Sequence, residues 1–132
     1  MPSILLVFVF FILNNPITAQ VNSPKLTWEF TTLEDSLGTP QTTIHLLVNG
    51  QKTLIGKGIG HFSELDKASY TETQYQIPGD ALTACTGFWA GLGHHYCVIQ
   101  NKNVLEVKEG FLDEEAPRGA RIRYKTVQKI NL

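Results

Sequence analysis

Neither sign of charge is in excess: 11 Lys and Arg stand against 12 Asp and Glu, for a formal net charge of −1. That balance gives no electrostatic basis for binding nucleic acid or an anionic membrane surface. Beyond residue 13 no apolar run is long enough to span a bilayer, so the rest of the chain is expected to be free of the membrane once a leader is removed. No stretch carries a long helical period, no segment repeats, and no tract is of low complexity. Catalytic signatures are missing too. There is no G-x-S-x-G elbow to present a serine nucleophile. The chain has two cysteines, and His94-His95-Tyr96-Cys97 is not a zinc-ligand spacing, because adjacent strand residues point to opposite faces. No metal and no cofactor is expected.

What is present begins with residues 4–13, an unbroken apolar run of ten. It is too short to cross a membrane comfortably and fits the apolar core of a signal peptide. Asn14-Asn15-Pro16 breaks it, and Ala19 offers a small residue for cleavage. Met1-Pro2-Ser3 supplies no basic side chain, and Ile17 is large for its place before the cut. No cysteine stands at the end of the run, where a lipid anchor would need one, which argues against a lipoprotein. The division expected is a signal peptide over residues 1–19 and a single secreted or periplasmic β domain over residues 20–132, with one modest core.

Period-two alternation dominates that domain. Leu26, Trp28 and Phe30 share one face of a half-buried strand. Residues 41–48 and 51–57 flank Asn49-Gly50, the strongest short hairpin signal, because a type I′ turn needs positive φ at both central positions. Residues 95–100 and 104–111 flank Asn101-Lys102-Asn103 as a second hairpin with a three-residue connection. Residues 71–77 and 121–130 also alternate. Ser63 is placed to cap a short helical turn. Gly56-Lys57-Gly58-Ile59-Gly60 lacks the GK[ST] ending of a phosphate loop and reads as a bulged or twisted strand end. Six or seven short strands without helices predict a mainly β fold, a small antiparallel barrel or sandwich.

Residues 84–97 organise the rest. They hold Cys85, Cys97, three glycines, His94, His95, Phe88, Trp89 and Tyr96. In an oxidising compartment Cys85 and Cys97 are expected to form a disulfide, bracing a tight irregular loop and adding about 3 kcal/mol by restricting the unfolded chain. On such a loop Phe88 and Trp89 either plug the end of the core or stand as an aromatic platform. The candidate binding residues are Phe88, Trp89, His94, His95 and Tyr96. The function expected is a non-catalytic binding module for a glycan or an extracellular or periplasmic protein, the braced loop having little entropy to lose on binding. The alternative is a small hydrolytic or metal-using enzyme centred on His94, His95 and the Asp113-Glu114-Glu115 loop. Acidic neighbours in a Pro/Gly loop are more commonly a solvated run than facing carboxylates.

The general form (a leader, a short β domain, one cysteine pair) is similar to small periplasmic inhibitor modules such as the bacterial lysozyme inhibitors. Gly119-Ala120-Arg121-Ile122-Arg123-Tyr124 loosely resembles the small-residue-then-tyrosine loop of that group. The likeness implies a periplasmic enzyme inhibitor as a further alternative. The serine of that loop is absent here, where Arg118 precedes Gly119, and no site residue carries over.

Overall fold

A computed structural model describes residues 23–132, so the expected signal peptide lies outside the described residues. Eight strands follow in order: β1 (Leu26–Glu34), β2 (Pro40–Val48), β3 (Gln51–Ile59), β4 (His61–Glu64), β5 (Thr83–Trp89), β6 (Leu92–Asn101), β7 (Val104–Asp113) and β8 (Lys125–Asn131). The first three form one antiparallel sheet and the other five a second, each strand paired to its neighbour in sequence. The sheets do not close into a barrel. β3 and β4 are consecutive but unpaired, and Gly60, at φ 107°, turns the chain between them.

Alternation explains the first sheet. Along β2 the even-numbered residues are buried and the odd-numbered ones are not. Trp28 stands opposite Leu46 and Phe30 opposite Ile44, so the apolar members of β1 and β2 share a face. Across from them the second sheet contributes Phe62, Cys85, Tyr96, Val98, Leu105 and Val107 to one core. Each large side chain removed from water there is worth about 1.5–3 kcal/mol. At its edge a polar chain is satisfied: the Trp28 indole N–H donates to Thr83 Oγ1 at 2.8 Å, and Thr83 donates to Glu64 Oε1 at 3.1 Å.

The middle of the second sheet, along β5 and β6, is buried on both faces. Its outer side is covered by the segment after β4, where Tyr70, Ile77 and Ala81 pack on Ala84 and Cys97. Residues 71–77 are therefore not the strand that their alternation suggests. They turn back on themselves, with Ile77 N–H bonded to Tyr70 O and Gln76 at φ 47°. The Gln76 amide donates to Ala120 O at 2.9 Å and accepts Ile122 N–H at 3.0 Å, pinning one covering segment to the other. Ser63 lies within β4 and caps no helix; the helical turn is a short 3₁₀ segment, Lys67–Ser69. The last strand begins at Lys125 rather than Arg121, and the β6–β7 connection is two residues long, since Asn101 pairs with Val104.

No disulfide forms; Cys85 and Cys97 are free and buried. The register gives the reason. β5 and β6 pair directly, with Cys85 opposite Tyr96 and Ala84 opposite Cys97. Opposed residues share a face and adjacent residues alternate, so the two thiols point to opposite sides of the sheet. Cys85 enters the core between the sheets and Cys97 the outer cluster. The disulfide-braced irregular loop is replaced by a regular hairpin. Phe88 and Trp89 end β5, and Ala90 and Gly91 turn the chain at φ 50° and 84°. Asn49 and Gly50 make the same turn at 50° and 84°, as the Asn-Gly pair predicts.

Candidate functional site

The hairpin splits the five candidate residues by parity. Gly87, Trp89, Leu92, His94 and Tyr96 face inward, toward the first sheet; Phe88, Gly93 and His95 face outward. β7 continues the inward row, with Phe111 opposite His94 and Glu109 opposite Tyr96. The five candidates therefore do not make one site. The inner group makes a groove of about 640 Å³, lined by Trp89, Ala90, Leu92, His94 and Phe111 from the second sheet and by Gln41, Lys57, Gly58 and Ile59 from the first. It opens at one end of the seam between the sheets.

Four large apolar side chains around this groove stay in water: Ile59, Trp89, Leu92 and Phe111 are 53%, 42%, 44% and 46% exposed. They come from four different strands, so no local pattern in the chain brings them together. The imidazole of His94 forms the base of the groove. It is stacked on the Phe111 ring at 4.3 Å between centroids and 23° between planes, and Phe62 meets it edge-on at 5.3 Å. His94 Nε2 lies 2.9 Å from Glu109 Oε2. A carboxylate only accepts, so Nε2 carries the proton and donates; in the neutral ring Nδ1 is left as an acceptor. Burial holds the His94 pKa below its usual value, and the Glu109 carboxylate opposes that shift without cancelling it. Tyr96 lies beneath, where burial and the adjacent Glu109 push its phenol far above the ordinary range.

Glycine makes room for this tier. A Cβ on Gly58 would stand 2.5 Å from the Phe62 ring and 2.8 Å from His94 Nδ1, and one on Gly87 would stand 2.6 Å from Phe62. The Gly56-Lys57-Gly58 run thus belongs to packing: its backbone lies flat against the His94 layer. The run is regular strand, and the bulge expected there falls just before it, where Ile44 pairs with Gly56 but His45 with Leu54.

The outer candidates sit elsewhere. His95 is fully buried, with Nδ1 2.6 Å from Thr86 Oγ1 and the rings of Tyr75 and Phe88 edge-on at 5.5 and 5.7 Å. Burial lowers its pKa to about 4. The acidic loop does not converge on either histidine. The Asp113 carboxylate accepts the Glu115 N–H at 3.0 Å, and Asp113 and Glu114 border a separate cavity of about 530 Å³ with Arg118 and Arg121. The thiols are unsuited to nucleophilic work: burial raises Cys85 well above its usual value and Cys97 to about 12. Among the described residues no cluster of His, Cys, Asp and Glu could hold a metal, and no helix is long and apolar enough to cross a membrane.

Ile59, Leu92 and Phe111 were invisible as site residues because each reads as one more apolar member of a strand. A usable signal lay in β7. The period that joins Leu105 and Val107 runs on to Glu109 and Phe111, placing a carboxylate on a buried face, where it requires a partner. No family model, no curated protein and no solved structure matches this chain.

Proposed function

We propose that the protein is a small, secreted, non-catalytic binding module whose ligand lies in the groove between Trp89, Phe111 and Ile59, over His94. Secretion rests on the apolar run at residues 4–13 and the small residue at Ala19. The observation that carries the site is the gathering of four half-exposed large apolar side chains around one concavity. Apolar surface left in water at one place marks a contact site rather than a core, and the volume is that of small-molecule pockets. The lining favours a mainly apolar ligand over a glycan. Gln41, Lys57, His94 and the Trp89 indole N–H are the side-chain polar groups that line it, few for the several hydroxyls of a sugar ring. A concave site of this size also suits a small molecule better than the flat face of a protein. No Ser, Thr or Cys side chain lines the groove as a nucleophile, which supports binding over hydrolysis.

Calorimetric titration with a neutral aromatic, 2-naphthol, tests the reading. Saturable one-site binding is expected, weakened at least about tenfold by Phe111→Ala, the loss of roughly 1.4 kcal/mol of contact. Phe111→Ala also loses the stacking on His94, so its melting temperature should fall somewhat while its far-UV circular dichroism stays that of the wild type, and binding is measured well below that temperature. Absence of saturable binding, or equal binding by Phe111→Ala, overturns the assignment.

A further inference from the structure

We infer that the groove takes an extended peptide segment of a partner protein, laid antiparallel along the free edge of β3 as a fourth strand of the first sheet. This names the ligand class of the binding reading and rests on it. β3 is an edge strand, with β2 on one side and no strand on the other. Bonded and non-bonded pairs alternate along an antiparallel ladder. The Gly60 N–H donates to Pro40 O at 2.9 Å, so Gly58, opposite Thr42, and Gly56, opposite Ile44, turn their backbone groups to β2. Lys57 and Ile59 alternate with them and turn theirs to the open side. No other backbone group among the described residues takes these up. Lys57, Gly58 and Ile59 border the groove, and Gly58 has only backbone to present. That wall is therefore a row of N–H and C=O groups with no strand to meet them. An extended chain satisfies such a row by adding to the sheet.

The floor complements that edge. Three inward rows of the second sheet run out from under the first: Cys85 to Trp89 on β5, Tyr96 to Leu92 on β6 and Val107 to Phe111 on β7. Each is buried at its first member and 42–46% exposed at its last. Three strands stand over five, and a chain one strand spacing beyond β3, about 4.8 Å, would roof the uncovered end. Its alternate side chains would point down to Leu92 and Phe111, and should be apolar; the others would stand on the outer face beside Lys57 and Ile59. The free edge is short. Ile55 is the extra residue of a bulge, since His45 pairs with Leu54 and Ile44 with Gly56, and Gly60 turns the chain at φ 107°. Between them there is room for about five residues of a partner. A second copy does not suit the site: its own β3 would set only Gly56 and Gly58 over the floor and leave the apolar groups in water.

The test uses the acetylated and amidated peptide Leu-Thr-Phe-Glu-Leu, its Leu and Phe side chains placed to face the floor and its Glu to stand opposite Lys57. In the antiparallel register the Thr and Glu nitrogens face β3, and those of Phe and the final Leu face solvent. Titration calorimetry at pH 7 should show one-site binding. N-methylation of Thr and Glu should weaken it at least about tenfold, and N-methylation of Phe and the final Leu by less than about threefold. Phe111→Ala should weaken it as well. Equal loss from the two methylated peptides, a greater loss from the second, no loss from either, or indifference to Phe111→Ala overturns the added strand. Binding of 2-naphthol without binding of the peptide also overturns it and leaves the groove assignment standing. Failure of both probes overturns the groove itself.

Discussion

Acid should weaken this fold through His95 before its carboxylates titrate. In the unfolded chain a histidine takes a proton near pH 6.5; in the folded chain burial lowers that value to about 4. The ring is fully buried between Thr86, Tyr75 and Phe88, and the nearest titratable groups are the Tyr75 phenol and His94, neither of which offers it a negative charge. A depressed histidine makes the sign clear. Well above pH 6.5 neither state binds the proton and stability is full. As pH falls below 6.5 the unfolded chain takes up a proton that the native state refuses, so stability is lost progressively down to about pH 4. Between pH 7 and pH 5 the loss works out at about 2 kcal/mol. With urea slopes typical of a domain this size, the unfolding midpoint should fall by roughly 1–2 M over that interval. His95→Gln removes the larger of the two depressed-histidine titrations, leaving that of His94, and keeps a neutral polar group beside Thr86, so its midpoint should change less between the same pH values. A parallel NMR titration of the His95 ring should show no protonation at pH 5. Equal pH dependence in wild type and His95→Gln, or a native His95 that titrates near 6.5, would refute the reasoning.

Two further outcomes follow from the packing. Gly58→Ala should destabilise the protein by about 1–3 kcal/mol, because its methyl would press on Phe62 and on His94 Nδ1; thermal unfolding measures this, and an unchanged melting temperature contradicts the close approach. The cysteines should remain thiols: protein purified without reductant and then unfolded should give two equivalents by thiol titration, with the same melting temperature in dithiothreitol. A melting temperature that drops on reduction contradicts the opposite-face placement.

Much of the architecture is legible in the chain. Alternation marks β1, β2, β6 and β7, and Asn49-Gly50 announces its turn. The disulfide and the single aromatic site fail for one physical cause: both depend on register, which no single strand reveals. Cys85 and Cys97 are 12 positions apart and invite a disulfide. Only the pairing of Cys85 with Tyr96 shows that they lie on opposite faces. The same parity divides Trp89 and His94 from Phe88 and His95, which in sequence are neighbours. Residues 71–77 alternate as a strand does, yet Tyr75 and Ile77 serve to cover the outer face of the second sheet, a demand set by tertiary packing. Phe111 and Ile59 join the groove only when the two sheets meet.

The most direct measurement is an amide and indole chemical-shift map of the ¹⁵N-labelled domain titrated with 2-naphthol. Binding in the groove predicts saturable shifts at Gly58, Ile59, the Trp89 indole, Leu92 and Phe111, with Phe88 and His95 on the outer face much less affected. Shifts centred on Tyr75, Phe88 and His95, or no saturable shifts at all, would contradict it.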